Sequence, residues 1–304
     1  MVSILDFHMS REHGKNICFQ IERWFNIILL FISGLKEMKA VRRKLGIGVL
    51  LYIGIVSGWG SSAYSNEQKQ PPDLKPELGK VFLYTAKKLG VPILKASIKI
   101  ENGSSDQGQP LYQIYANIES FDYLRFLFRV NNRFHSTVEA ETLFPLRYVK
   151  KINQEGLLTK KKNYLQTCIF DYPNKKVITE KQEGREREEI PFSSEIYDPL
   201  SMFAKYYFKE ELHPGKDIQM SIFDGVKLRQ MVFCSKKGKV DSKIYGEVEA
   251  VCLESTTSFS SFEDREGIIR IWYTTDGKKI PILIELDLPI GNIQFELESV
   301  ERSS

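Results

Sequence analysis

The 304-residue chain has little cysteine and little histidine, with four residues of each. It has no CxxC motif, which argues against a thiol oxidoreductase. The two histidines after residue 65, His135 and His213, lack the spacing of a histidine metal site. A GxSxG elbow and a glycine-rich phosphate loop are also missing from the sequence. We therefore expect no enzyme activity, no catalytic residue, no metal and no cofactor.

Neither sign of charge dominates once the first 65 residues are set aside. The whole chain has 43 basic and 39 acidic residues, of which residues 1–65 hold eight and four. The remaining 239 residues therefore carry 35 of each sign and have a net charge of zero. Nucleic-acid-binding proteins normally present a basic surface that displaces counterions from phosphates. We expect no nucleic acid partner.

Residues 38–65 have the three-part pattern of a secretory signal peptide. Four basic residues follow Met38, an apolar run extends over residues 45–59, and small residues come next. Small side chains at the first and third positions before the cut favour cleavage before Asn66, and a cut after Ala63 obeys the same rule. The pattern predicts a periplasmic protein.

The alternative is an uncleaved segment that anchors the chain in the inner membrane. Its apolar run has 15 residues, whereas a spanning helix needs about 20. Only this segment would then contact the membrane. Residues 1–37 are interpreted as a mis-assigned upstream extension, since the signal pattern starts at Met38.

The remainder divides into a flexible linker, residues 66–78, and a single β-rich domain, residues 79–300. Three prolines give the linker an extended, solvated backbone. The domain repeats short segments of β-branched and aromatic residues between turn residues, and the dipeptides Asp224-Gly225 and Asp276-Gly277 mark hairpins. The charged run 180–189 is interpreted as a solvated loop. This pattern predicts an all-β fold, an antiparallel β-barrel or roll.

One amphipathic helix interrupts the strands. Asp198 is a suitable N-cap and Pro199 suits the first helical position. Apolar residues then follow at helical spacing, and the sequence from His213 to Gly215 is expected to end a helix of about 13 residues. Such a stripe must be buried, so the helix is expected to dock on the barrel or sheet.

Three cysteines lie in the β-rich domain, Cys168, Cys234 and Cys252. Cys234 and Cys252 lie on apolar-alternating segments separated by the polar stretch 235–242, so they are candidates for a disulfide between neighbouring strands. The alternative is that all three are buried small apolar residues.

Four residues are candidates for ligand binding: Arg133, Asp198, Arg270 and Trp272. Alternation places Arg270 and Trp272 on one face of a strand, where an aromatic ring beside a guanidinium suits sugars, lipid headgroups or peptides. Each has a structural alternative. Trp272 can be a core or rim residue covered by Arg270, Asp198 can serve only as the N-cap, and Arg133 can pair with a carboxylate on a neighbouring strand.

Several segments together resemble a known family. They are VNNRFHSTVEAETLFPLRY around Arg133, YDPLSMF at Tyr197, FDG at Phe223, and IRIWYTTDGKKIPILIELDLPIGNIQFEL from Ile269. In order and spacing they are similar to the bacterial exported family catalogued as domain of unknown function 3108, over Gly79 to Val300. The resemblance implies an all-β antiparallel barrel or roll in the cell envelope, without an assigned activity.

These observations favour a non-catalytic β-barrel module that binds an amphiphilic or polymeric component of the envelope. The partner expected is an envelope lipid, glycan or protein. One alternative is a scaffold that binds a protein during envelope assembly, and another is a hydrolase of an envelope polymer. A closed barrel can hold a small ligand only if side chains do not fill its interior.

Export predicts a defined mature N-terminus. Protein isolated from its native host should begin at Asn66 or Tyr64, and deleting residues 1–37 should leave export unchanged because the basic and apolar regions after Met38 suffice. N-terminal sequencing of periplasmic and cytoplasmic fractions tests both statements. Intact Met1 or Met38 in the cytoplasmic fraction would contradict the expected localisation.

Overall fold

The computed structural model describes residues 78–157, 161–181, 186–260 and 264–302. The expected upstream extension 1–37, the signal peptide 38–65 and all but the last residue of the linker 66–78 lie outside these ranges. In the part of the chain that is described, no helix has both the length and the apolar character needed to cross a bilayer.

Within the described ranges, fifteen strands form one sheet. In chain order they are β1 (Lys80–Lys88), β2 (Val91–Ser104), β3 (Pro110–Ser120), β4 (Arg129–Glu139), β5 (Pro145–Glu155), β6 (Lys162–Asp171), β7 (Lys176–Lys181), β8 (Glu186–Pro191), β9 (Ile196–Tyr197), β10 (Asp217–Phe223), β11 (Leu228–Ser242), β12 (Gly246–Phe259), β13 (Arg265–Thr274), β14 (Pro281–Leu288) and β15 (Gly291–Arg302). A helix, α1 (Pro199–Phe208), separates β9 from β10, and a 3₁₀ turn (Asp122–Leu124) lies between β3 and β4.

The sheet is an antiparallel meander with one unusual junction. Its strand order is β8-β7-β6-β5-β4-β3-β2-β1-β15-β14-β13-β12-β11-β10-β9, so β1 pairs with the last strand, β15. Neighbouring strands are antiparallel except for β9 and β10. The expected all-β, barrel-like fold with one docked helix is confirmed.

The two edges of the sheet come together without closing a hydrogen-bonded barrel. Strands β8 and β9 occupy opposite ends of the strand order, yet only residues 192–195 connect them. Side chains from β5 and β6 reach the β10–β11 turn: Lys150 Nζ donates to the Asp224 carbonyl at 3.0 Å, and Gln166 Nε2 donates to the Gly225 carbonyl at 2.6 Å. Side-chain contacts therefore complete the roll.

Part of the charged run is a strand and not the expected loop. Residues 186–189 belong to β8, an edge strand whose charged side chains are exposed. Cross-strand ion pairs join it to β7, with Lys176–Glu189 at 2.9 Å and Lys181–Glu186 at 3.0 Å. The loop interpretation is wrong here, because one row of opposite charges can face another across an edge pair without burial.

Helix α1 fills the interior of the roll. Seven of its ten residues are buried, and its aromatic rings contact strands from both halves of the sheet. Phe203 and Tyr207 pack edge-on against Phe82 of β1 at centroid distances of 6.3 and 5.4 Å. Tyr206 packs against Phe233 of β11 at 6.0 Å. The interior is therefore a packed core and not a ligand cavity.

The helix begins as expected and ends early. Asp198 accepts hydrogen bonds from the backbone N–H groups of Leu200 and Ser201, which form a capping box with the Ser201 hydroxyl. The last helical residue is Phe208, so the helix has ten residues and not about 13. The physical reason is that exposed Lys209 and the charged pair after it cannot enter the apolar interior.

The stretch 235–242 is the second half of β11 and not a turn between two strands. The strand continues to Ser242, and the tight turn comes at residues 243–245. Polar side chains are tolerated because exposed pairs such as Lys239–Glu247, at 2.7 Å, face solvent across the hairpin.

This register also rules out the Cys234–Cys252 disulfide. Cys234 lies opposite Glu254 and Cys252 lies opposite Lys236, so the two cysteines are diagonal neighbours. Diagonal positions are about 7–8 Å apart, which is beyond the usual span of a disulfide. All three described cysteines are free thiols; Cys168 and Cys252 are buried, and Cys234 is exposed. The alternative of three buried residues is thus correct for two of them.

Truncating a helix ring tests the importance of the packed interior. Phe203 is 3% exposed, so Phe203→Ala should lower the free energy of unfolding by about 3–5 kcal/mol. The matched control is Phe126→Ala: that ring is 76% exposed, and its loss should change stability by less than about 0.5 kcal/mol. Urea denaturation of both variants gives the comparison. Equal, small effects would contradict the buried position of α1.

Candidate functional site

Arg270 and Trp272 are two residues apart on β13 and share one face of the sheet. Arg270 lies opposite Glu254 of β12 and Glu285 of β14, and Trp272 lies opposite Cys252 and Leu283. The alternation of the strand thus puts both candidates on the same surface.

Arg270 is held in place by carboxylates. Its Nε donates to Glu254, and its Nη1 donates to Asp287 Oδ2 at 2.6 Å. Hydrogen bonds from Lys236 and then Arg270 lower the pKa of Glu254, which keeps this carboxyl charged. Arg270 therefore braces three neighbouring strands and is not positioned as a free anion ligand.

Trp272 is packed on one side and faces a cleft. A Cβ added at Gly238 of β11 would lie 2.7 Å from the indole Cζ3, so the absence of a side chain there makes room for the ring. The indole N–H donates to Glu285 Oε2 at 2.9 Å, and Gln294 donates to the other oxygen of that carboxylate at 3.0 Å. These contacts fix the orientation of the ring.

The cleft beside Trp272 has a volume of about 330 Å³. It lies where the end of β11 passes over β13, β14 and β15. Its lining is mixed: apolar residues and Trp272 form part of the wall together with lysine, carboxylate and amide side chains. The lining residues are Lys239, Val240, Asp241, Ser242, Lys243, Trp272, Ile282, Leu283, Glu285, Gln294, Glu296 and Leu297. The two lysines and three carboxylates leave little net charge.

The Ser242 side chain forms part of the cleft wall. Among the described residues, its Oγ is buried and has no hydrogen-bond partner. A buried hydroxyl without a partner is costly, at about 1–3 kcal/mol. This hydroxyl is enclosed in the wall and is not exposed to the cleft.

Asp198 lies in the core, away from this cleft. Its carboxylate is completely buried and receives hydrogen bonds from Leu200 N, Ser201 N and the Ser136 hydroxyl, the last at 2.5 Å. Burial raises its pKa to about 6, against the opposing effect of these hydrogen bonds. Asp198 caps α1 and ties it to β4, so it is a structural residue.

Arg133 is not part of the cleft either. It lies on β4, and five strands lie between β4 and β13 in the sheet order. The residues directly opposite Arg133 are Asn117 on β3 and Lys151 on β5, and neither is a carboxylate. Of the four predicted site residues, only Arg270 and Trp272 are brought together.

A smaller cleft, of about 250 Å³, lies at the seam between the sheet edges. Phe144 and Tyr172 stack at 5.6 Å, and Phe192 packs edge-on against Tyr172 at 5.6 Å. The Tyr172 hydroxyl donates to the Pro145 carbonyl at 3.1 Å. These rings mainly pack on one another and seal the roll.

The described residues contain no group of three or more histidine, cysteine, aspartate or glutamate residues that could hold a metal ion. His135 stacks on Tyr115 and bonds to Gln113, and His213 pairs with Glu211 at the surface. Burial raises the pKa values of Cys168 and Cys252 to about 12, which disfavours the reactive thiolates.

Most of the cleft was not expected from the sequence. Glu285 and Gln294 come near Trp272 because β14 and β15 follow β13 in the sheet, whereas β11 brings Ser242 there through the curl of the sheet. One signal was available: Gly238, inside a polar stretch, marks a place where another group approaches the backbone.

The fold and cleft define a barrel-like β-protein built around a buried helix. A family model described as a protein of unknown function, DUF3108, matches residues 81–298. The chain belongs to this family, and the resemblance found in the sequence is confirmed.

Two solved structures are similar to this chain. The β-barrel-like protein of domain of unknown function DUF1849 from Brucella abortus has 10% identity and a TM-score of 0.47, over 74% of this chain and 98% of that chain. The hypothetical protein CT021 from Chlamydia trachomatis has 10% identity and a TM-score of 0.32, over 75% of this chain and 89% of that chain. No curated protein matches the sequence.

The buried carboxyl of Asp198 makes stability depend on pH. Its folded-state pKa of about 6 lies above the ordinary value of 3.8, so the folded protein binds more protons between these values. Stability contributed by this group therefore falls as pH rises from about 4 to about 6, by about 3 kcal/mol. Asp198→Asn keeps the N-cap and should remove this pH-dependent contribution to the free energy of unfolding.

Urea denaturation of wild type and Asp198→Asn between pH 4 and pH 7 measures the effect. The variant should gain stability relative to wild type as the pH rises. Asp106→Asn, at an exposed loop position, is the matched control for loss of a charge. A constant difference between wild type and Asp198→Asn across this range would contradict the buried, raised-pKa carboxyl.

Proposed function

We propose that this chain is an exported, non-catalytic envelope protein that binds a hydroxyl-rich polymer, a glycan, in the Trp272 cleft. One observation carries the proposal: an indole held in a fixed orientation lines the same cleft as carboxylate, amide and lysine side chains. A sugar presents a C–H face that packs on an aromatic ring and hydroxyls that pair with polar side chains around it.

The charges of the cleft favour a ligand with little net charge. Lys239 and Lys243 already have acidic partners, Glu247 and Glu298 respectively. The carboxylates accept hydrogen bonds, and Gln294 can both donate and accept. A strongly anionic ligand would meet three carboxylates, so a neutral or zwitterionic saccharide suits the cleft better.

The packed interior supports a surface site over an enclosed one. Phe82, Phe203 and Tyr207 are each at most 3% exposed and occupy the centre of the roll. An acyl chain held inside the barrel would have to displace α1. The amphiphilic ligand expected from the sequence is therefore less favoured in the interior than a polymer bound in the cleft.

We also propose that the chain has no enzyme activity. The described histidines are engaged as a stacked ring and a surface ion pair, and burial raises the pKa of the two interior thiols. Neither arrangement supports an activated nucleophile.

The scaffold alternative depends on a different surface. The outer edge of β8 offers backbone groups to an added strand, but four consecutive charged residues, 186–189, line it. Charged edge residues oppose strand addition. A protein partner is thus a competing outcome of the test and not the proposal.

Loss of the indole tests the cleft directly. Titration with β-1,4-linked N-acetylglucosamine oligomers, followed by calorimetry, should show saturable binding that Trp272→Ala weakens by about 30-fold, or about 2 kcal/mol, because the stacking surface is lost. Phe126→Ala, which removes an exposed ring from the β3–β4 connection, is the control and should bind as wild type does.

Stability must be measured beside affinity, since Trp272 is half-buried. Replacing Trp24 and Trp59 with phenylalanine leaves Trp272 as the remaining tryptophan of the three, so its fluorescence reports both ligand and unfolding. If the loss of saccharide binding in Trp272→Ala is explained by a smaller fraction of folded protein, Trp272 has a structural role and not a binding role. The scaffold alternative would be favoured if no saccharide binds and if a protein copurifies stoichiometrically with wild type but not with Trp272→Ala.

A further inference from the structure

The most exposed large apolar side chains are concentrated at one end of the sheet. Among the described residues they are Phe126, Leu157, Leu89 and Tyr123, which are 76, 69, 68 and 62% exposed. All four lie on connections between consecutive strands: β1–β2, β3–β4 and β5–β6. Because the strands alternate in direction, these three connections lie at the same end of the sheet. We call these four residues the apolar rim.

Contacts join these connections into one surface. Tyr123 of the β3–β4 connection donates to the carbonyl of Pro92, just after the β1–β2 turn. The β5–β6 turn packs on the β3–β4 connection so closely that a Cβ at Gly156 would lie 2.6 Å from the Leu127 carbonyl oxygen. The apolar rim is therefore continuous and is not a set of unrelated loop tips.

The opposite end of the sheet is different. Among the described residues, one exposed large apolar side chain lies on a connection at that end: Ile244, which is 37% exposed. The Trp272 cleft lies toward this second end, since residues 239–243 finish β11 there. The two ends thus offer an apolar surface and a polar cleft.

Basic residues flank the apolar rim. The described residues 87–95, 119–129, 155–157 and 161–162 include seven basic and three acidic residues, an excess of four positive charges, whereas residues 66–304 as a whole are neutral. The basic residues are Lys87, Lys88, Lys95, Arg125, Arg129, Lys161 and Lys162. Positive charge therefore exceeds negative charge on the three connections that carry the apolar side chains.

We propose that the apolar rim is a membrane-docking surface that inserts into the headgroup region of an anionic phospholipid bilayer. Apolar and aromatic side chains enter the boundary between headgroups and acyl chains, and surrounding lysines and arginines attract anionic headgroups. Long basic side chains also place apolar stems along the membrane while their charges stay in water. This orientation points the Trp272 cleft away from the bilayer.

A protein partner suits this surface less well. Protein interfaces are depleted of lysine at their centres because burying its charge is unfavourable, and lysines at five of the seven described basic positions flank the connections that carry the rim. A lipid surface gains from those same charges. The proposal is independent of the glycan cleft, and either can fail alone.

Fluorescence quenching by brominated phosphatidylglycerol vesicles tests insertion locally. In the full chain with Trp24 and Trp59 replaced by phenylalanine, Phe126→Trp should add emission that these lipids quench. Two controls should show little quenching. One is the chain in which Trp272 is the remaining tryptophan, and the other carries Val232→Trp at an exposed strand position. The local readout is unaffected by any binding of the N-terminal segment to the vesicles.

Two pairs of substitutions separate the apolar and electrostatic contributions. A tryptophan at position 123 (Tyr123→Trp) reports vesicle binding through quenching of its fluorescence. In that background, the double substitution Phe126→Ala with Leu157→Ala should lower the vesicle partition coefficient by at least about tenfold. Lys161→Glu with Lys162→Glu should weaken it on phosphatidylglycerol, with Arg133→Glu and Lys151→Glu as the matched charge control on an exposed strand face.

The proposal predicts that high salt or pure phosphatidylcholine weakens insertion, because screening or neutral headgroups remove the attraction. No quenching at position 126, or equal quenching at positions 126 and 232, would overturn it. Recovery of a protein partner that needs Phe126, in the absence of quenching, would assign the rim to a protein interface instead.

Discussion

Helix α1 has apolar or aromatic side chains on nearly every side, and the sheet must surround it to remove them from water. Phe203 and Tyr207 contact β1, whereas Tyr206 contacts β11, so strands far apart in the meander are held around one helix. Burying a large aromatic side chain stabilises the fold by about 1.5–3 kcal/mol. This burial explains why a sheet with two free edges curls into a roll without closing its hydrogen-bond ladder.

The attachment of the helix is as important as its packing. Asp198 follows the short strand β9, caps α1 and receives a hydrogen bond from Ser136 of β4. A buried carboxylate is a costly way to cap a helix, and its raised pKa reflects that cost. In return, it fixes where the helix enters the roll and links the β9 edge to the opposite half of the sheet.

A filled interior moves binding to the outside of the molecule. Its two ends then differ in chemistry: the Trp272 cleft presents an indole, carboxylates and an amide, while the apolar rim presents exposed rings and leucines among basic residues. A protein held at a membrane by one end and open to a polymer at the other is the arrangement that our two proposals describe together. Each rests on a separate set of residues.

Local structure was predictable from the residues alone. Period-two apolar segments identified the strands, Asp224-Gly225 marked a hairpin, and Asp198-Pro199 marked the start of the helix, because each depends on neighbours within a few residues. Features that depend on long-range strand pairing could be read only from the folded chain. The polar stretch 235–242 resembled a turn until its ion pairs with β12 explained it as a strand, and the same register separates Cys234 from Cys252. The cleft joins Ser242 to Trp272 and Gln294 only because β11 crosses over β13–β15, a contact set by the curl of the sheet around α1 that no local pattern encodes.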